Sequence, residues 1–261
     1  SNGSKLFSVQ HGCNYNATKF SPVAEFETKH SDKFLSWGWN KKDNSKIKKF
    51  YINKHLNKNI KITNDKSILL VNSSAYEYQN GDNTGMFYSF RSFDYLNVLR
   101  DLLTDMPDKI KKNLTIRGNT GEDQRGTHIT QNLKKEFQNY KFQDLGKSFY
   151  ESMNKYSLIL NSYDSTPFLE AISLNKPTIM YIDDKIYKDR HCKAAKKYYL
   201  ILEKNKIIHR SRESLYKFLL DIDFDYLKWW DSTKVKSAKN YFCNYYPRRS
   251  NNFVSDLRNL I

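Results

Sequence analysis

The sequence predicts an α/β fold, a Rossmann-like parallel sheet with helices on both faces. Three observations carry this expectation. Short apolar runs recur at 67–72 (SILLVN), 157–161 (SLILN) and 177–182 (PTIMYI), as strands buried on both faces would require. Segments with apolar residues at helical spacing lie between them. The connections are short, and strand–helix alternation of this kind builds parallel sheets with right-handed crossovers.

Taken in order, 5–10 (KLFSVQ) and 33–37 (KFLSW) read as strands, the second closed by the turn-forming Gly38. A Lys/Asn-rich stretch follows, and residues 41–66 are expected to be a linker. From 67 the alternation begins. Phe93, Leu96, Leu99, Leu102 and Leu103 form a helical stripe within 92–105, and Pro107 follows its end. LTIR at 114–117 is the next strand, with helices expected near 127–138 and 146–154. After the strand at 157–161 a helix runs from Thr166 to Leu174, then comes the strand at 177–182. Further helices are expected near 190–203, 211–221, 225–245 and 251–260. The organisation expected is therefore 1–40 as the end of one domain and its hinge, 41–66 as linker, and 67–261 as a Rossmann-like domain.

Composition narrows the function classes. A chain of 261 residues can bury a substantial core. No run of about 18 apolar residues occurs, so no membrane-spanning helix is expected, and the N-terminal residues lack a signal-peptide layout. Cys13, Cys192 and Cys243 are far apart and form no CxxC pair, which fits isolated thiols in a cytoplasmic setting. The net charge of +16 (44 basic minus 28 acidic) comes largely from Lys spread along the chain. That pattern suits an anionic substrate, or peripheral contact with an anionic membrane at the inner face of the plasma membrane. No nucleic-acid partner is expected.

In parallel sheets ligands gather at the carboxyl ends of strands, so the residues just past each strand are the candidates. His11-Gly12 comes after the first strand, Ser73-Ser74 after 67–72, Arg117-Gly118 closes 114–117, and NSYDST (161–166) comes after 157–160. Asp164, Ser165 and Thr166 offer N-cap side chains, and Pro167 suits a first helical turn. A helix start of this kind can seat a phosphate, and Glu170, one turn on, could accept hydrogen bonds from ribose hydroxyls. The same residues would serve a plain helix cap equally well. An imidazole at His11 could take a proton from a hydroxyl or, as the cation, stabilise a leaving phosphate. Arg117 could clamp phosphate oxygens. Glu25 and Glu27 are the alternative bases. His30, His55, His128, His191 and His209 show no metal-ligand spacing and are assigned no role; no metal site is expected. Trp37 and Trp39 are assigned to packing.

The run DSTPFLEAISLNKPTIMY resembles the donor-binding segment of GT-B glycosyltransferases: a small-residue turn, an LEA-containing helix, then a strand opened by Pro. The resemblance implies that Ser165 and Thr166 hold the donor phosphate and Glu170 the ribose. QHGCNYN (10–16), EFE (25–27) and SDKFLSWGW (31–39) are similar to a family of transferases from bacterial O-antigen-type polysaccharide (lipopolysaccharide) loci. More distantly, the His-Gly and Asp-Ser-Thr elements resemble teichoic-acid polyol-phosphate transferases and capsule Kdo or sialic-acid transferases, whose histidine lies near the donor phosphate or acts on the acceptor. Cys13 and Asn16 stand where glycines are usual.

These resemblances imply a GT-B fold in which residues 1–40 end an N-terminal acceptor domain. That domain is then largely absent from this chain or supplied by a partner chain. The final helix would turn its stripe of Phe253, Leu257 and Leu260 towards it. The implied activity is metal-independent glycosyl transfer with no cofactor. The donor would be a nucleotide-sugar, a CMP-linked sugar being one reading, and the acceptor a glycan or lipid-linked glycan. A CDP-polyol phosphotransferase and a non-catalytic nucleotide- or glycan-binding module are the alternatives.

Overall fold

The structure, a computed structural model, describes residues 3–12, 15–74, 92–122 and 126–260. Every paired strand among them is parallel, and the strands form two sheets. The smaller holds β1 (Phe7–Val9), β2 (Lys33–Ser36) and β3 (Ile47–Lys49) in the order β1-β2-β3. The larger holds β4 (Ile68–Val71), β5 (Leu114–Arg117), β6 (Lys141–Phe142), β7 (Leu158–Asn161), β8 (Thr178–Tyr181) and β9 (Ile208–His209). Its order is β6-β5-β4-β7-β8-β9. Counted within the sheet this is the doubly wound, Rossmann-like arrangement, with the chain reversing direction of growth between β4 and β7. Val71 sits in register with Arg117 on one side and Asn161 on the other, so the loops after β4, β5 and β7 emerge side by side.

The apolar runs explain the central strands. All four residues of β4, of β7 and of β8 are buried, because helices cover both faces. The Ser92–Thr104 helix buries Tyr95, Leu96, Val98, Leu99, Leu102 and Leu103. Phe93, expected on that stripe, is 73% exposed. It lies a single position after the helix start, off the face that repeats through Leu96, Leu99 and Leu103. The Phe149–Lys155 helix starts with a capping box in which Ser148 and Glu151 bond reciprocally. The helix expected over 225–245 is two, Tyr226–Trp230 and Thr233–Cys243, separated where Ser232 takes an extended N-cap conformation.

Residues 41–66 carry β3 and then run along the larger sheet. Lys61 N donates to Asn154 Oδ1 at 2.6 Å, and Ser157 Oγ bonds Asp65 Oδ1 at 2.6 Å. The closing helix, Phe253–Arg258, lies against the smaller sheet: Phe253 meets Phe50 edge-on at 5.0 Å, and Lys33 Nζ donates to Leu260 O at 2.8 Å. Phe253, Leu257 and Leu260 are half-buried there. One hydrophobic cluster runs through both sheets. No helix among the described residues is long and apolar enough to cross a membrane.

Candidate functional site

The turn after β1 is fixed from beneath. Gln10 is buried, and its Oε1 accepts from Trp37 N at 3.0 Å and from the Trp39 indole Nε1 at 2.8 Å. One glutamine thereby joins the QHG and WGW elements. Gly38 between the tryptophans has φ +129°, and a Cβ there would stand 3.0 Å from Tyr245 O. Only Gly meets both demands. Asn16 adopts a left-handed φ of 58°, which Asn tolerates better than most residues. Cys13 lies outside the described residues.

His11 sits on this turn, 60% exposed at its side chain, with Nδ1 3.3 Å from Glu27 Oε1 and 3.1 Å from the Tyr15 hydroxyl. Tyr15 is buried and stacks on Phe34, so the ring edge facing His11 is held rigidly. Glu27 comes from the Pro22–His30 helix, and its Oε2 is buried without a hydrogen-bond partner. A carboxylate only accepts, so Glu27 can pair with the imidazole where it is charged, beside the Tyr15 hydroxyl that bonds the same Nδ1. Glu25 is exposed. Two residues on a helix are about 200° apart, so Glu25 and Glu27 cannot both face His11.

Across from this turn lies the helix Thr166–Ser173, eight residues long, with Ser165 at its N-cap. A Cβ added to Gly12 would stand 2.8 Å from Thr166 Oγ1. His11-Gly12 and the Ser165–Thr166 turn are therefore in direct contact, and only a residue without a side chain allows it. Ser165 is buried and its hydroxyl makes no capping bond. Ser73 and Ser74 are buried at the end of β4. The Tyr95 hydroxyl accepts from Ser73 N at 2.9 Å and bonds Ser162 Oγ at 2.6 Å, tying the loops after β4 and β7 together. Burial pushes the Tyr95 phenol up, so it stays protonated and able to donate. Asn72, beside them, keeps a buried Nδ2 without a partner.

Asp164 does something other than cap the helix. Its carboxylate lies 2.8 Å from His191 Nε2 and accepts from the Tyr199 hydroxyl at 3.2 Å, with the Asp164 side chain 0% exposed. Burial, then the Asp164 charge, raise the Tyr199 phenol well above its ordinary value. The His191 ring lies 3.7 Å from that of Tyr199. His191 also bridges Thr18, and Cys192 N donates to Ala17 O at 2.8 Å. Asp164 and His191 thus anchor the segment after His11-Gly12 onto the larger sheet.

Glu170 is buried, with Oε2 3.0 Å from His55 Nε2. His55 has a left-handed φ of 55°, packs against Tyr150 at 5.0 Å, and is held by Arg249, whose Nη2 donates to His55 O at 2.9 Å. Neither His55 nor His191 was given a role by sequence spacing; their partners lie 115 and 27 residues away, and no local pattern signals either pair. Arg117 departs from its expected placement. It is buried, with Nη2 donating to Lys147 O at 2.8 Å and Nη1 to Ser152 Oγ at 3.3 Å. Burial lowers its pKa. Its guanidinium braces the 147–152 segment beside β6 rather than the Ser165–Thr166 turn.

The structure therefore brings together His11, Gly12, Glu27, Ser165, Thr166 and, one helical turn on, Glu170, with Ser73 and Ser74 at the neighbouring strand end. Comparison with curated proteins finds no match. A family model described as LIC12162 family transferase matches residues 1–261. The chain belongs to the LIC12162 family of transferases.

Proposed function

We propose that the chain is the donor-binding part of a GT-B-type glycosyltransferase that builds a bacterial surface glycan, with a nucleotide-sugar as donor and a glycan or lipid-linked glycan as acceptor. The observation that carries the reading is the contact of Gly12 with Thr166, which sets the His11–Glu27 pair against a helix start at the strand-order switch. Ser165, Thr166 and the first helical turn hold the donor phosphate, aided by Ser73 and Ser74. Glu170 accepts from the ribose hydroxyls through Oε1, while His55 keeps Oε2 in place.

His11 Nε2 takes the proton of the acceptor hydroxyl as its oxygen attacks the anomeric carbon. The bond from that carbon to the phosphate oxygen breaks, and the nucleotide phosphate carries the electron pair away. Glu27 stabilises the imidazolium that forms, and the helix start stabilises the departing phosphate. No metal is needed for these steps. A CMP-linked donor is part of the proposal. So is docking of the strongly basic chain on the anionic inner face of the plasma membrane. Calorimetry with a panel of CMP-, UDP-, GDP- and CDP-linked compounds tests the reading. Saturable binding that Glu170→Ala and Ser165→Ala weaken supports it. No binding of any nucleotide, or binding indifferent to both substitutions, overturns it. A product containing glycerol phosphate or ribitol phosphate in place of a sugar would identify a polyol-phosphate transferase instead.

A further inference from the structure

A cavity of about 290 Å³ opens beside the carboxyl ends of β5 and β6, lined by side chains that the proposed reaction does not use. Glu122, Thr130 and Gln143 line it, and each holds a buried oxygen without a hydrogen-bond partner: Oε2, Oγ1 and Oε1 respectively. Buried polar atoms are almost always paired with protein or with ordered water, so three orphans around one cavity mark a place that holds water or a ligand.

The orientation of each is settled by its other bonds. Glu122 is buried, and its Oε1 accepts from Thr130 N at 2.5 Å and Gln131 N at 3.2 Å, which leaves Oε2 as the unmatched atom. Gln143 Nε2 is 2.7 Å from Ser152 Oγ. Ser152 Oγ donates to Ser148 O at 3.0 Å and accepts from Gln143 Nε2. The free atom of Gln143 is the carbonyl oxygen.

We propose that this cavity is a second binding site, for one polyhydroxylated unit the size of a monosaccharide, a sugar ring or a polyol. A carboxylate oxygen and an amide oxygen only accept, so the occupant must donate from two sides, and the Thr130 hydroxyl adds a third contact. These oxygens come from three separate elements, the loop after β5, the Ile129–Glu136 helix and the loop after β6, so the donors must be spread around the occupant. Sugar hydroxyls are, each giving one hydrogen and accepting another. A planar base concentrates its amine donors on one edge, and the Glu122 charge opposes an anion. Lys134 supplies a donor for a hydroxyl oxygen, and Phe142 a half-buried ring face. The volume lies at the lower limit of small-ligand pockets, roughly 300 Å³, which admits one sugar ring and excludes an oligosaccharide. The site shares no residue with the Gly12–Thr166 cleft, and the inference stands without the donor assignment.

The test is ligand-observed NMR and calorimetry on the whole chain with glucose, N-acetylglucosamine, glycerol, ribitol and, separately, cytidine. The expected result is saturable binding of at least one polyhydroxy probe, weakened about ten-fold by Glu122→Gln, which turns the orphan acceptor into a donor. Thr130→Val, nearly isosteric, should weaken it in the same direction and carries the test if Glu122→Gln unsettles the helix start. Nucleotide affinity should be unchanged in both. Failure of all four polyhydroxy probes to bind overturns the proposal, as does binding unaffected by either substitution. Cytidine binding that Glu122→Gln abolishes would also overturn it.

Discussion

The two sheets contribute to the candidate site in opposite ways. The larger is dry: every residue of β4, β7 and β8 is buried, and the loops leaving β4 and β7 are fixed by buried bonds such as Tyr95 to Ser162 and Asp164 to His191. The smaller is half-wet: all three β1 residues are half-buried, and the group it delivers, His11, is mostly open to solvent. The rigid sheet presents backbone and hydroxyls suited to holding a phosphate. In the proposed reaction the smaller one presents the side chain that meets an incoming acceptor. On the reading proposed above, holding and proton transfer divide between two bodies that touch at Gly12 and Thr166.

The sharpest way to break this division is at His11. His11→Ala should lower kcat by about 10²–10⁴-fold, the range of a positioned base, while nucleotide affinity measured by calorimetry stays put. A parallel fall in affinity would place His11 among the holding groups. Asp164→Ala attacks the opposite body. It strands the buried His191 and Tyr199 donors and should cost about 1–3 kcal/mol of unfolding free energy for each, read from urea denaturation.

A pH titration separates the sheets further. Burial pushes His209, on β9, down to about 4, with Nε2 donating to Lys206 O and Nδ1 accepting from Ser214. The unfolded chain then binds a proton that the folded one refuses between about 6.5 and 4. Stability is full above about 6.5 and declines as pH falls through that window, by roughly 3 kcal/mol in total, and His209→Gln should flatten the slope. Next comes the seam itself. Gly12→Ala should cost about 1–3 kcal/mol through overlap with Thr166, and adding Thr166→Ala should return the stability but not the nucleotide affinity. Smallest is the contrast on one helix: Glu27→Gln should slow turnover about ten-fold and Glu25→Gln not at all. Equal effects would mean that the His11–Glu27 geometry is incidental to catalysis.

Much of the larger sheet was legible because its strands are uninterrupted apolar runs, a pattern that needs no knowledge of the partner. SILLVN, SLILN and PTIMYI fell where β4, β7 and β8 lie. The smaller sheet was harder to read. β3 is IKK, two-thirds exposed and indistinguishable from the Lys/Asn-rich stretch around it. At the site, residues just past a strand could be found by position, which is how Ser165, Thr166 and Glu170 came to notice. Side-chain direction could not. Arg117 turns towards Lys147 and Ser152, and Asp164 towards His191, because partners distant in sequence satisfy them first. His55 and His191 were invisible for the same reason.

The strap from residue 15 to 19 has a consequence for how the protein folds. It is held by contacts such as Cys192 Sγ to Asn16 O, 176 residues apart. Closing a loop that long gains nothing until the strands between have paired, so this docking belongs late in folding. The chain should acquire its secondary structure and bury its tryptophans before His11 reaches Thr166. Nucleotide binding would then recover on refolding ahead of turnover, and that interval times the arrival of the last piece of the site.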